Sequence, residues 1–387
     1  MDPIKILIAG DFCVREAAVS MLYKEKIEEL SEEIRVLSKE HDISIVNVET
    51  VLSETGEPII KSGPNLKSPL ASLDLLKRFG FTVAACANNH MGDYGNAALL
   101  ETLQNLKNTG FTTVGAGANQ EEAERPCYIR QKNCTVAIVN CAEHEFGIAH
   151  GQSPGMAGMD VYRTAECVKK AREEADAVIV YLHGGNEHNP LPRPGMKKFC
   201  RHLAESGASA VIVAHSHCPQ GIEEYRGVPI AYGLGNFYMA GKDSGMWGSG
   251  YLASLTIAED GKASLTPIPY RMGCDGSYLR ILQGEEKERF GHYLKCISAL
   301  LNDPQRYPKY WLAWCDLYRQ VMPESYDLTK GPADWGVLFL RNSYSCESHN
   351  ELMTSYFTAY CNGELEGLEE YKESIHKLQA GIIEGIK

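Results

Sequence analysis

The chain reads as an α/β fold built on a mainly parallel sheet. Three observations predict it. Short apolar runs rich in β-branched residues recur, among them 43–48 (ISIVNV), 177–182 (AVIVYL) and 210–214 (AVIVA). Stretches with helical spacing lie between such runs as far as Gly207, an alternation that joins parallel strands through crossover helices. Several of the runs also end abruptly in a carboxylate, an amide or an imidazole.

In order, residues 4–10 (IKILIAG) form the first expected strand, followed at once by Asp11. Residues 19–40 are rich in Leu, Ile, Glu and Lys at helical spacing and predict a helix. The strand over 43–48 ends at Glu49. Residues 50–69 hold Gly56, Pro58, Gly63, Pro64 and Pro69, so they read as a long loop of the kind that often carries function. A helix over 70–79 is stopped by Gly80, and a strand over 81–87 ends at Asn88-Asn89-His90. The helix over 96–109 has Gly110 where a C-terminal glycine belongs. Strands follow over 112–115 and 135–141, then a helix over 164–175. The strand over 177–182 ends at His183, a helix covers 195–206, and the strand over 210–214 runs into His215-Ser216-His217. Residues 228–232, 251–257 and 262–267 have no helices between them and should add antiparallel pairs.

Past residue 271 the character changes. Residues 285–301 and 309–321 predict helices separated by Pro304 and Pro308. Residues 364–387 place Leu365, Leu368, Tyr371, Ile375, Leu378 and Ile382 on one stripe, which predicts a helix covering core. Tyr307, Tyr310, Trp311, Trp314 and Tyr318 share one helical face. They form either a substrate lid or partner surface, or anchors for these helices. The prevalence of large aromatics in cores favours anchoring.

Composition sets outer bounds. The 387 residues allow one large or two domains with a sizeable core. With 44% hydrophobic and 23% charged residues the chain is ordinary for a globular protein. A net charge of -12 argues against a nucleic-acid-binding surface. It also means that an anionic substrate needs local positive charge, which a bound metal would supply. Residues 1–11 carry no long apolar segment behind a basic region, so no leader and no membrane anchor is expected and the expected location is cytoplasmic. The 13 cysteines are scattered without a CxxC and read as reduced thiols.

Ligands of open α/β sheets gather at the C-terminal edges of the strands. Here those edges hold Asp11, Glu49, Asn88-Asn89-His90, His183 and the His215/His217 pair. Residues two apart on an extended segment point the same way, so both histidines of the pair can reach one ion. Carboxylates, imidazoles and an amide oxygen suit one or two divalent ions such as Mn, Fe or Zn better than calcium. A carboxylate can bridge two ions, and two ions can hold both an attacking water and a substrate oxygen.

These residues resemble the bacterial capsule-synthesis or poly-gamma-glutamate-synthesis (CapA-type) proteins of the calcineurin-like metallophosphoesterase superfamily. The resemblance runs from residue 4 to 237. Its pieces are Gly10-Asp11, Asn47-Val48-Glu49-Thr50, Lys61-Ser62-Gly63-Pro64-Asn65, Ala87-Asn88-Asn89-His90 with Asp93-Tyr94-Gly95, and Gly115-Ala116-Gly117. They continue with His183-Gly184-Gly185-Asn186-Glu187, Pro190 and Pro192, the segment 207–220, and Leu234-Gly235-Asn236-Phe237. The resemblance implies a sandwich of two β-sheets flanked by helices over 1–270, with a C-terminal helical region, 271–387, packed on it.

It also implies roles. Asp11, Glu49, Asn89, His183, His215 and His217 are the expected metal ligands, with Glu49 at the bridging position, His183 and His215 on the second ion and His217 on the first. His90 is the expected acid–base residue that protonates a leaving oxygen. Lys61, Asn65 and Arg193 are candidate contacts to an anionic group, although a solvated surface charge is the usual fate of such a Lys or Arg. Asn88, Asp93, Glu187 and Asn236 are expected to order the ligands. Two positions depart from the superfamily pattern: Cys13 stands where a histidine usually follows the first aspartate, and Glu49 replaces the bridging aspartate.

The implied function is a metal-dependent hydrolase acting on a phosphoester or related anionic substrate, small or polymeric, with a link to poly-gamma-glutamate or capsule metabolism. The alternative is a non-catalytic binding or assembly component of poly-gamma-glutamate synthesis or export. Cys13 and Glu49 favour the alternative; Asn89-His90 and the three ligand-type histidines favour the enzyme.

Overall fold

Ile4, Ile6 and Ile8 enter one apolar cluster while Leu7 and Ala9 enter another. They alternate along the first strand, β1 (Ile4–Phe12), because successive side chains of a strand face opposite ways. Burying an aliphatic side chain of this size contributes about 1.5–3 kcal/mol, so β1 is held from both faces. The computed structural model describes residues 3–22, 27–241, 245–319 and 327–387.

After β1 come α1 (Glu16–Val19), α2 (Ile27–Lys39) and β2 (Ile43–Val48), which is parallel to β1. Of the helix expected over 19–40, α2 is the main described part; residues 23–26 lie outside the described residues. Then follow α3 (Ser72–Phe79), β3 (Val83–Ala85), α4 (Gly95–Thr109) and β4 (Thr112–Val114), continuing the parallel order. β5 (Ala116–Gly117), α5 (Gln120–Glu124) and β6 (Cys127–Gln131) have no counterpart in the sequence pattern.

β7 (Cys134–Ala142) is followed by β8 (Gly155–Met156), which pairs with β5. α6 (Val161–Glu174) starts where the Asp160 side chain accepts from the backbone N–H groups of Tyr162 and Arg163. β9 (Ala177–His183), α7 (Pro194–Glu205) and β10 (Ala210–Ala214) complete the parallel run. β11 (Ile222–Tyr225), β12 (Val228–Ala231), β13 (Asn236–Tyr238), β14 (Ser249–Ile257), β15 (Ala263–Met272) and β16 (Leu279–Ile281) follow.

Among the described residues these strands form two large sheets. One is ordered β16-β15-β14-β1-β2-β3-β4, with β13 beside β1; the other is β11-β12-β10-β9-β7-β6. Ile6, Ile45 and Val83 of the first share an apolar cluster with Ile138, Ile179 and Val211 of the second. The fold is therefore an α/β sandwich of two sheets flanked by helices, the class that the resemblance implies.

One local feature places the first acidic residue. The register of β1 on β2 shifts between Ala9 and Asp11. Gly10 lies at that irregularity, and a Cβ there would sit 2.0 Å from the Gly235 carbonyl oxygen. Only glycine admits that approach. The strand then continues to Phe12, so Asp11 is a residue of the strand and not the turn after it.

The C-terminal part holds α8 (Gly284–Leu301), α9 (Tyr307–Tyr318), α10 (Trp335–Ser345), α11 (Glu347–Asn362) and α12 (Glu369–Gln379). Ile297, Trp311, Trp314, Leu352 and Ile375 belong to the same cluster as Ile4 and Val213. β15 runs through residue 270 and β16 joins the sheet after it, so the sheet passes the expected boundary. The helix expected over 309–321 is α9, and residues 320 and 321 lie outside the described residues. The helix expected over 364–387 is α12 alone. Gly367 (φ 71°) and Gly381 (φ 77°) take left-handed backbone on either side of it, which ends a helix. Leu368, Tyr371, Ile375 and Leu378 are buried, but Ile382 is 45% exposed. Tyr307, Tyr310, Trp311 and Trp314 are buried and Tyr318 is half-buried. All 13 cysteines are free. No helix among the described residues is long and apolar enough to cross a membrane.

Candidate metal centre

Five strand ends meet at one edge of the sandwich. β1 carries Asp11, and Glu49 follows β2 directly. The turn after β3 holds Asn88-Asn89-His90, β9 ends in His183, and His215 and His217 follow β10. Parallel pairing sets His183 beside Ala214, so the last two strands deliver their imidazoles to one level.

Glu49 is the centre of the cluster. Its Oε1 lies 3.5 Å from His183 Nε2, 3.8 Å from His217 Nε2, 4.0 Å from His215 Nδ1 and 4.0 Å from His90 Nε2. None of these is a hydrogen bond. Both Glu49 oxygens and His215 Nδ1 are buried without a hydrogen-bond partner, which native proteins rarely leave so. Donor atoms about 2.0–2.2 Å from a shared cation stand roughly 3–4 Å from one another, and the Glu49 spacings match that.

Ligand atoms of Asp11, Glu49 and His183 lie within 4.8 Å of one another, and so do those of Glu49, His215 and His217. The two triads share Glu49. This grouping differs from the expected one, in which His183 went with His215 and His217 was set apart. Asn89 Oδ1 is 3.0 Å from His183 Nε2 and completes that side. The donor set, oxygen and imidazole nitrogen around a shared carboxylate, fits one or two divalent transition-metal ions.

The electrostatics agree with the fit. Burial raises the Glu49 carboxyl to about 7, with the Asp11 charge adding to the effect. Burial opposes a charge on His217, yet Glu49 and Asp11 outweigh it and lift the imidazole to about 10. Burial lowers His183 to about 4, which keeps it neutral and ligand-ready near pH 7. Burial also works against the Asp11 carboxylate, but its hydrogen bond with His217 and the nearby imidazoles hold its pKa below the usual value. His215 (φ 94°) and His217 (φ 52°) both sit in left-handed backbone, a strain that proteins hold at functional sites.

The remaining expected residues take varied places. His90 Nδ1 is 2.7 Å from Asp93 Oδ2, and Asp93 Oδ1 is 2.5 Å from Lys61 Nζ. Asn88 Oδ1 accepts from the backbone N–H groups of His90 and Met91, and its Nδ2 donates to Val48 O. Asn88 thus fixes the turn that presents Asn89 and His90. Asn236 Oδ1 is 2.8 Å from His217 Nδ1. Glu187 is exposed at the rim, with Oε2 3.9 Å from His188 Nε2, and no hydrogen bond ties it to the cluster among those described.

Two substrate contacts expected from sequence are replaced. Arg193 gives Nε and Nη2 to Glu143 (3.0 and 2.7 Å) and Nη1 to Glu351 (2.6 Å). A guanidinium neutralised by two carboxylates has no charge to spare for an anion. Asn65 donates to the Ile59 and Asp93 carbonyls and clamps its own loop. Lys61 is buried, with its Nζ 2.5 Å from Asp93 Oδ1 and 3.3 Å from His90 Nδ1. Burial pushes the Cys13 thiol up to about 11, and Cys13 is in neither triad.

Sequence reasoning gave no role to Asn47, whose Nδ2 donates to Asp11 Oδ1 (2.7 Å) and lies 3.1 Å from His183 Nδ1. Its signal was there, a single amide inside the apolar run ISIVNV. Trp247 and Glu143 had no such signal. The Trp247 ring lies 5.1 Å from that of His217, and Glu143 donates its backbone N–H to His183 O (3.1 Å).

A family model for "Bacterial capsule synthesis protein PGA_cap" matches residues 5–240, which span every residue of the cluster. The chain belongs to that family. Among curated relatives, the "PGA biosynthesis protein CapA" of Bacillus subtilis (strain 168) is 29% identical over 177 residues, covering 45% of this chain and 46% of the relative. The "Capsule biosynthesis protein CapA" of Bacillus anthracis is 27% identical over 236 residues, covering 58% and 56%. The chain therefore spans about half the length of the curated relatives it matches. Among solved structures, a "novel phosphatase" from Mycoplasma pneumoniae matches with a TM-score of 0.48 and 14% identity, covering 70% of this chain and 94% of that one. That likeness is too distant to carry an inference about activity.

Proposed function

We propose that this PGA_cap protein is a metal-dependent hydrolase of a phosphoester or related anionic ester. The observation that carries the reading is the Glu49 carboxylate, buried, unbonded and ringed by four imidazoles, one of which is fixed by an aspartate. Asp11, Glu49, Asn89, His183, His215 and His217 would hold one or two divalent ions. Such ions supply Lewis-acid stabilisation of an anionic oxygen.

The chain's own residues do the rest. In its doubly protonated form His90 donates Nδ1–H to Asp93 and holds a second proton on Nε2, on the side of Glu49. As water adds to the reacting centre and releases its proton to solvent, the bond to the leaving oxygen breaks and His90 Nε2 gives its proton to that oxygen. Lys61 neutralises Asp93, so the Asp93 charge orients His90 without repelling an anion. Asn236 and Asn47 hold His217, His183 and Asp11 in place. The test is metal analysis of the purified protein, followed by a p-nitrophenyl phosphate or phosphodiester assay with added Mn. Stoichiometric metal with turnover is expected; a metal-free, inactive protein sinks the reading.

A second reading has a specific observation behind it. Cys13 stands where a nitrogen ligand is usual and its thiol is held protonated. A binding or assembly component that handles an anionic polymer such as poly-gamma-glutamate would tolerate that loss. Metal without turnover on any ester would favour it.

A further inference from the structure

Beside the metal cluster lies a cavity of about 370 Å³ with no part in the reading above. His188, Met246, Trp247, Tyr318, His376 and Gln379 line it. It adjoins the cluster through two rings. The Trp247 ring is 5.1 Å from His217 and 5.6 Å from His188, and the His188 ring is 6.1 Å from His217.

The walls are fixed. His188 sits in left-handed backbone (φ 62°) and donates its N–H to Ser216 O (2.7 Å), in the loop between the two histidine ligands. Its carbonyl accepts from Gln379 Nε2 (3.0 Å), which also reaches the Tyr318 hydroxyl (2.7 Å). Tyr318 stacks on the buried Trp314 with centroids 3.8 Å apart. The far wall thus comes from α9 and α12, and the near wall from the metal-site loops.

The lining chemistry selects its ligand. Among the described residues no Lys, Arg, Asp or Glu lines the cavity, in a chain with 38 Lys and Arg and 50 Asp and Glu. A string of carboxylates meets no fixed positive charge among those described lining residues. Indole and phenol rings offer apolar surface, and the Tyr318 hydroxyl, which accepts from Gln379, keeps its own proton to donate at the border. We propose that this cavity is the subsite for the uncharged, ring-bearing alcohol portion of the substrate, an aryl or sugar alcohol, whose esterified oxygen faces the cluster. The placement of that oxygen rests on the hydrolase reading; the cavity's preference for an uncharged ring does not.

Ala380 is exposed at the end of α12 and lines the same cavity, so Ala380→Trp fills it without entering the core. The test titrates benzyl alcohol, methyl β-glucopyranoside and γ-glutamylglutamate into the full chain, with and without Mn, and follows each by saturation-transfer NMR. At least one of the two uncharged probes should bind, with Ala380→Trp and Tyr318→Ala each weakening it about tenfold, and γ-glutamylglutamate should not. Failure of both uncharged probes, or binding that Ala380→Trp leaves unchanged, overturns the proposal. A chain that binds a ring probe but hydrolyses no ester keeps the subsite and loses the hydrolase reading. One that hydrolyses methyl phosphate but binds neither ring probe does the reverse.

Discussion

Asp93 Oδ2 lies 2.7 Å from His90 Nδ1, and the far nitrogen of that imidazole stands 4.0 Å from Glu49 Oε1. An aspartate that accepts from one ring nitrogen orients the ring, and the doubly protonated imidazole keeps a second proton on the nitrogen it aims. If His90 Nε2 delivers the proton, His90→Ala should cut turnover by about two to four powers of ten while metal content and melting temperature stay near wild type. Asp93→Asn should lower turnover less and shift the pH–rate profile, because the ring keeps its place but loses its charged partner. An active His90→Ala enzyme would move the general acid elsewhere.

Glu49 links both ligand triads, so metal and stability should be coupled. An ion that binds only the folded chain raises stability by about 2.7 kcal/mol at a hundredfold excess over Kd. Adding Mn to chelator-treated protein should raise its melting temperature, and His215→Ala or Glu49→Ala should abolish the rise. A melting curve indifferent to Mn in the wild type would contradict the metal centre.

Away from the cluster, Glu347 at the start of α11 accepts from His144 Nδ1 (2.6 Å) and from the His144 backbone N–H (2.9 Å). That hydrogen bond raises the His144 pKa above its usual 6.5, against the effect of burial. A raised folded-state pKa gives stability that is complete below the unfolded value and is lost as pH climbs through the folded one. The melting difference between wild type and His144→Gln should therefore be flat below pH 6.5 and shrink above it. A difference that grows with pH would show the sign to be wrong.

Arg193 ties the loops after β7 and β9 to α11 through Glu143 and Glu351. Removing one partner of a buried pair strands the other charge and costs about 3–5 kcal/mol. Arg193→Met should lower the melting temperature sharply, and Arg193→Met with Glu143→Gln and Glu351→Gln should recover part of the loss. No recovery in the triple variant would mean that the arginine's packing, not the stranded charge, dominates.

The cluster was legible in the sequence because each member ends a short apolar run, a purely local signal. The His90–Asp93 pair is local too, three residues apart on one turn. Arg193 was not legible as a structural cation, since Glu143 lies 50 residues before it and Glu351 158 after. The fold class was legible from alternating runs, but β5 and β8, two residues each, are too short to carry a pattern. The last helix was read too long because the apolar spacing persists across Gly367 and Gly381, where the backbone turns left-handed.

The C-terminal helix gives the remaining prediction. Tyr371, Ile375 and Leu378 of α12 are buried, the Tyr371 ring meets Tyr310 of α9 edge-on at 5.2 Å, and Lys372 pairs with Asp316 (2.5 Å). Deleting residues 364–387 would uncover that face of α9, including Trp314 and Tyr310, each now 2% exposed. Losing three buried side chains at about 1.5–3 kcal/mol each takes away stability comparable to the ~5–15 kcal/mol that holds a whole domain. The truncated chain should therefore be insoluble or melt far below wild type, and Ile375→Ala alone should cost about 2–5 kcal/mol. A truncated protein that stayed soluble with unchanged melting would show that α12 is not an anchor, and would return the aromatic face of α9 to the role of a lid or partner surface.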